Sequence, residues 1–264
     1  MTRLVHLSDL HFGTEAPELL APLREAVAAA RPALVVVSGD LTQRARRAQF
    51  RAAAAFLATL PAPWRAVPGN HDIPFHRPAL RLLQPFARYR DAIAAETAPG
   101  WGDAALCVQG LNTADHLAWQ RGRVRSADVQ RVCRAFAASN RVNVAFAHHP
   151  FERVAGSGKA STRHAVRALD TLAACGTHVL LSGHLHRWRT APFVERSGGR
   201  RILQVHVGTG LSRRHRGEGN DFAILDLGPD RAAVTRMAYE AGGFRPAGEV
   251  VYRLGREGWR RPGA

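Results

Sequence analysis

The chain has 264 residues, 46% of them hydrophobic, with three cysteines and a formal net charge of +16. That length and apolar content allow one large domain over 1–264 with its own core, and the absence of an apolar run of about eighteen residues argues against a membrane span. The N-terminus, MTRLVHLSDL, turns polar too early for the apolar segment of a secretion signal, which points to the cytoplasm.

Cys107, Cys133 and Cys175 are widely spaced and odd in number, which predicts buried reduced thiols instead of a disulfide frame or a zinc cluster. The basic residues are nearly all arginine, Lys159 being the only lysine, and they form small scattered clusters at 44–51, 121–125, 200–201 and 213–216. With alanine-rich helices alongside, this reads as compositional drift. A basic balance can serve nucleic acid, an anionic membrane surface or phosphorylated substrates, and with the arginines so scattered nucleic acid is possible but not favoured.

Residues 3–8 alternate as a strand does. A helix follows over 15–30, with Leu19, Leu23 and Val27 on one stripe and Glu15 and Glu18 near its positive N-terminal end. The run 33–38 is apolar throughout, as in a strand covered on both faces, and 44–60 is a second helix, with Phe50, Ala54 and Leu57 facing inward. A short strand at 64–68 leads into a proline-rich stretch over 74–102, read as loop with short helices. Then come a strand at 105–113, a helix capped by Ser126, a strand at 141–148, a helix at 162–175 and a strand at 177–182. The remainder, 201–208, 221–227, 232–239 and 248–254, is strand separated by turns rich in glycine and arginine.

Sites in open α/β sheets form beyond the carboxyl ends of strands. Five such ends here deliver Asp9 and His11; Asp40; Asn70, His71 and Asp72; His148 and His149; and His184 and His186. Gly39, Gly69 and Gly183 precede three of the groups, where a tight turn leaves no room for a Cβ. Singly, each could be a cap or a turn residue. Together they cannot, because so many ionisable groups collected at one sheet edge are costly to bury without a cation. Carboxylate, amide oxygen and imidazole without thiolate suit Mn, Fe, Zn or Co, and seven candidate ligands exceed the needs of one tetrahedral ion. Two ions sharing a carboxylate would use them, the recurring arrangement for in-line displacement at phosphorus.

The motifs SDLHFG, SGDLTQ, PGNHD, HHP and SGHLH, in this order over roughly 3–190, resemble those of the calcineurin-like metallophosphoesterase superfamily. Their spelling is closest to the class III cyclic-nucleotide phosphodiesterases and their bacterial relatives, and GNHD is unlike the GNRD of lipid A precursor pyrophosphatases. The resemblance implies a four-layer α/β/β/α sandwich with a dinuclear metal centre at the strand ends. Asp9, His11 and His186 would bind one metal, Asn70, His148 and His184 the other, and Asp40 would bridge. His149 would stand behind the ligands. A metal-bridging hydroxide would attack phosphorus, with His71 serving the leaving group and Asp72 orienting His71.

Some residues stay outside this scheme. Phe75 and His76 are placed at the pocket lip, while Arg213, Arg214 and Arg216 are read as facing solvent more than substrate. His206 is read as strand packing, and His6, His116, His164, His178 and His215 are left without a named partner. The expected activity is hydrolysis of small phosphodiesters such as cyclic nucleotides. One rival is a nuclease on the same metal scaffold, favoured by charge but lacking a capping domain in this length. Others are a phosphomonoesterase or phospholipid-type diesterase of the same superfamily, and a metal-dependent scaffold that has lost turnover.

Overall fold

The computed structural model describes residues 1–152, 160–192, 201–213 and 217–262. The first half runs β1 (Thr2–Leu7), α1 (Pro17–Ala30), β2 (Leu34–Val37), α2 (Arg47–Ala58), β3 (Trp64–Ala66), a 3-10 turn (Asn70–Asp72), α3 (Pro78–Leu83), α4 (Ala87–Ala92), β4 (Gly100–Gly102) and β5 (Leu106–Leu111). Next come α5 (Ser126–Ala137), β6 (Val142–Ala147), α6 (Ala165–Ala174), β7 (Val179–Ser182), β8 (Arg189–Pro192) and β9 (Leu203–His206). The chain finishes on β10 (Asp221–Leu227), β11 (Arg231–Glu240), β12 (Gly243–Gly255) and β13 (Gly258–Arg260).

These strands form two sheets, ordered β13-β12-β11-β10-β1-β2-β3 and β4-β5-β6-β7-β9-β8. In the first, β1, β2 and β3 are parallel, while β10 to β13 form an antiparallel meander that joins β1. In the second, β5, β6, β7 and β9 are parallel and the edges β4 and β8 are antiparallel. Alternation decides the layering, because successive residues of a strand face opposite ways. Leu4, Leu34, Val36, Val144, Phe146, Val179, Leu181 and Val205 meet in a core between the sheets. Val5, Leu7, Val35 and Val37 pack outward on Leu19, Leu23 and Val27 of α1 and Phe50 and Leu57 of α2. Ala145, Ala147 and Leu180 pack on the other side against Val129, Val132 and Phe136 of α5 and Leu169 and Leu172 of α6. The expected α/β/β/α sandwich is what forms.

Several local expectations change. Ser126 is the first helical residue of α5 and Arg125 its N-cap, with no side-chain capping bond. Cys133 and Cys175 are joined in a disulfide, not reduced, and only Cys107 is a buried free thiol. The 42-residue separation hides that pairing in the sequence, but α5 and α6 lie side by side on one sheet face and bring the two Cα atoms to 5.3 Å. Lys159, Arg214, His215 and Arg216 lie outside the described residues. No helix among those described is long and apolar enough to cross a membrane.

Candidate metal centre

The strand ends of the two sheets converge on one buried cluster. Loops after β1 and β2 zip together through Asp9 N–H to Gly39 carbonyl at 3.0 Å and His11 N–H to Asp40 carbonyl at 3.0 Å. Gly183 N–H donates to the His148 carbonyl at 3.1 Å, joining the ends of β7 and β6. Across the sheets, the His184 amide donates to Asp9 Oδ2 at 2.9 Å. This interlocking leaves no space at Gly183, where a Cβ would stand 1.8 Å from Ser8 Oγ, or at Gly69, where it would meet Asp40 Oδ1 at 2.1 Å.

Backbone geometry marks the cluster independently. Asp9, His11, Asp40, His184 and His186 all have φ between 48° and 70°, five of the nine non-glycine residues with positive φ among those described. Such conformations cost energy and concentrate where function requires them. Their effect is to fold Asp9 and His11, and likewise His184 and His186, over the strand end so that both side chains of each pair reach the cluster.

The donor atoms form two groups. His186 Nε2 lies 3.1 Å from Asp9 Oδ1 and 3.2 Å from His11 Nε2, with His11 Nε2 3.6 Å from Asp9 Oδ1. His148 Nε2 lies 3.2 Å from Asn70 Oδ1 and 3.1 Å from His184 Nδ1. Asp40 Oδ2 touches both, 3.8 Å from His11 Nε2 and 3.3 Å from His148 Nε2. Ligands about 2.0–2.2 Å from an ion are separated by about 3–3.5 Å from each other, the spacing seen here. Every one of these side chains is buried.

Two features call for a cation. Asp9 Oδ2 accepts from Ser8 Oγ at 2.5 Å and from the His184 amide, but the buried Oδ1 has no hydrogen bond. An ionised oxygen without donors is costly to bury. His148 donates Nδ1–H to the Ser38 carbonyl at 2.8 Å, so its Nε2 lone pair faces the oxygens of Asp40 and Asn70. Those contacts repel unless a proton or a metal ion stands between them. Burial lowers the His148 pKa, but Asp40, Asp9 and the Ser38 carbonyl outweigh it and raise it to about 9. Burial opposes ionisation of Asp9 and Asp40, yet the surrounding histidines hold both well below the usual carboxylate range. A metal ion supplies the same compensation without the proton.

The neighbouring residues act on these donors. Both ring nitrogens of His149 are engaged, Nδ1 with Thr113 Oγ1 at 3.0 Å and Nε2 with the Gln120 carbonyl at 3.1 Å. It packs 4.5 Å from the His184 ring and is a support, although it clusters with His148 and His184. The half-buried His71 donates Nδ1–H to the Gln43 carbonyl at 2.8 Å and its backbone N–H to Asp40 Oδ1 at 2.8 Å. Its ring stands edge-on to His11, 4.9 Å between centroids, with Nε2 as the unengaged nitrogen. Asp72 has other partners than the His71 ring: it accepts from the amides of Leu41, Thr42 and Gly69 and from Thr42 Oγ1, at 2.8–3.1 Å. Its action on His71 therefore runs through the turn. Burial and the Asp40 charge raise Asp72 to about 7 against the bonds from Gly69 and Thr42.

Ser8, Ser38, Thr42, Gln43, Thr113 and Thr209 were not singled out in the sequence. Small hydroxyl residues and backbone carbonyls carry no signal until the fold aims them. His6, left without a partner, bonds Ser38 Oγ at 2.8 Å, and His206 bonds Ser182 Oγ at 2.6 Å. Arg213 pairs with Glu18 at the surface, 3.4 Å apart.

No curated protein matches the chain in sequence. Among solved structures, a purple acid phosphatase from yellow lupin seeds superposes with a TM-score of 0.70 at 13% identity, over 95% of this chain and 53% of the lupin chain. This chain thus spans about half the length of that phosphatase. GAP50, the anchor in the inner membrane complex of Plasmodium, gives a TM-score of 0.58 at 10% identity, over 98% of this chain and 89% of its own. Vps29 of Chaetomium thermophilum gives 0.53 at 12% identity, over 96% of this chain and 99% of its own. Likeness at these identities establishes the fold, and chemistry has to be read from the side chains. A family model described as calcineurin-like phosphoesterase matches residues 2–188, a span that contains every donor atom of the cluster and the turns that aim them. The chain belongs to the calcineurin-like phosphoesterase family.

Proposed function

We propose that this chain is a dinuclear metal-dependent phosphodiesterase acting on small phosphodiesters, of the class III cyclic-nucleotide type. The observation that carries the reading is Asp40 Oδ2, within 3.8 Å of His11 Nε2 and 3.3 Å of His148 Nε2, so that one carboxylate oxygen serves two ligand groups. Asp9, His11 and His186 would hold one ion and Asn70, His148 and His184 the second, with Asp40 shared; Mn, Fe, Zn and Co all suit such donors. When bound, the ions supply a water acidic enough to attack phosphorus near neutral pH and positive charge for the phosphoryl oxygens.

The protein's own groups do the rest. The Ser38 carbonyl fixes the His148 tautomer and so presents Nε2. His71, anchored at Nδ1 by Gln43, keeps Nε2 free to deliver a proton to the departing oxygen. Asp72 is a positioning residue that holds the Asn70–His71 turn against the loop after β2.

The test is a substrate panel on Mn²⁺-reconstituted protein: 3′,5′- and 2′,3′-cyclic nucleotides, bis-aryl and mono-aryl phosphates, glycerophosphodiesters and DNA. The reading requires diester hydrolysis faster than monoester hydrolysis. Monoesters alone being cleaved would overturn it, and fastest turnover on DNA would replace it with the nuclease reading.

A further inference from the structure

Beside the metal centre lies a surface that the hydrolytic machinery does not use. Phe75, three residues beyond Asp72, is 37% exposed, and Trp119, next to the Gln120 that holds His149, is 66% exposed. Their rings meet edge to face at 4.0 Å. Arg44 Cζ stands 5.7 Å from the Phe75 centroid and Arg81 Cζ 5.8 Å from that of Trp119. Two water-exposed rings flanked by cations offer faces that planar, electron-delocalised groups stack on.

Arg44 also lines an adjoining cleft of about 480 Å³, with Arg46, Arg47, His76, Arg77 and Arg88. Among the described residues, the one carboxylate paired with any of these arginines is Asp91, 3.8 Å from Arg47 and largely exposed. Arg88 donates Nη1–H to the Ala45 carbonyl at 2.8 Å while its Nε has no partner, and burial together with the charges of Arg77 and Arg47 lowers its pKa. Five arginines against one carboxylate repel one another until an anion enters. The two features are contiguous: His76 in the cleft follows Phe75 in the chain, and the rings of the two lie 5.0 Å apart. Both are tied to the metal centre through Gln43, whose carbonyl holds His71 and which precedes Arg44.

We propose that the substrate extends beyond its scissile phosphate, with a nucleobase stacked on Phe75 and Trp119 and a further phosphate in the arginine cleft, as in a 5′-phosphorylated dinucleotide or the end of a single strand. This rests on the phosphodiesterase reading above, and it extends that reading from cyclic mononucleotides, which carry one phosphate, to nucleotide diesters that carry a second.

Binding tests it without turnover. Metal-loaded protein is titrated with a hydrolysis-resistant phosphorothioate dinucleotide, with and without a 5′-phosphate, and with an abasic counterpart. The 5′-phosphate should tighten binding about tenfold, and Arg46→Ser with Arg77→Ser should abolish that gain together with the salt dependence that the 5′-phosphate adds. Both arginines are exposed, which spares the fold. Phe75→Ala with Trp119→Ala should weaken the base-bearing ligand about tenfold relative to the abasic one. Two exposed arginines elsewhere, changed together as Arg134→Ser with Arg245→Ser, control for the loss of two charges. A 5′-phosphate without effect, or the Arg46→Ser, Arg77→Ser variant behaving like that control, would overturn the proposal. Because these are affinities, an inactive protein that still prefers the phosphorylated dinucleotide would count against the phosphodiesterase reading and not against the subsite. A 5′-phosphate gain that persists in an eight-base single strand assigns the subsite to strand ends; a gain confined to the dinucleotide assigns it to dinucleotides.

Discussion

At the scale of single residues, placement separates roles that the sequence leaves together. His71 and Asp72 are adjacent, yet one presents an unengaged ring nitrogen while the other is saturated by four donors. His71→Ala should therefore leave bound metal unchanged and slow turnover by about a hundredfold or more, most for poor leaving groups. Rates measured across a series of aryl leaving groups check this, and a uniform loss would remove proton delivery from its role. His6 sits in the sheet core, where burial first, and the charge of His206 second, lower its pKa to about 3 despite Asp9. The sign follows from linkage: below about pH 6.5 the unfolded chain takes up a proton that the native state refuses, so stability falls as pH falls toward 3. His6→Gln lacks that titration, so its stability relative to the parent should improve by about 1.4 kcal/mol per pH unit below 6.5, read from urea unfolding at pH 8, 6 and 5. A difference independent of pH would contradict the burial argument.

At the scale of elements, the ligands come from five strand ends in two sheets, so the centre depends on how closely those ends approach. Gly183 is the tightest point, and Gly183→Ala would push on Ser8 Oγ and Asp9 Oδ2. Metal content should fall with activity, because Asp9 can no longer present Oδ1. Full metal content would show that the loops can separate without harm. The outer layer carries the disulfide between α5 and α6. Thiol titration of the unfolded, unreduced protein should find one thiol, from Cys107, and three after reduction; three from the outset would contradict the bridge. Cys133→Ser should cost about 4 kcal/mol in the absence of reductant, the loop-closure value for its 42-residue separation. The main strands and helices could be read from periodicity, since β1, β2, β6 and β7 bury alternate or continuous apolar faces. Of the three-residue strands, β3 falls inside the strand read at 64–68, whereas β4 and β13 could not be read, because pieces so short have no period to detect. Nor could the disulfide, whose two cysteines meet only once the helices are packed.

For the whole molecule, the sandwich explains why the site was legible at all. Parallel strands in each sheet point their carboxyl ends the same way, so residues remote in sequence, such as Asp9 and His186, fall within 3.1 Å. All seven candidate ligands were visible as chemistry placed after apolar runs, and all seven come together. What stayed hidden was geometry: the left-handed backbone at Asp9, His11, Asp40, His184 and His186, and the carbonyls and hydroxyls that orient them. The charge of +16 reads differently in three dimensions, since arginines scattered over 44–88 gather into one cleft beside the centre. The proposed sharing of Asp40 between two metal sites is read out by metal stoichiometry. Protein reconstituted with Mn²⁺ and assayed by plasma mass spectrometry should hold about two ions per chain, and Asp40→Asn clearly fewer. A single ion in the parent, or two ions retained in Asp40→Asn, would contradict the dinuclear account.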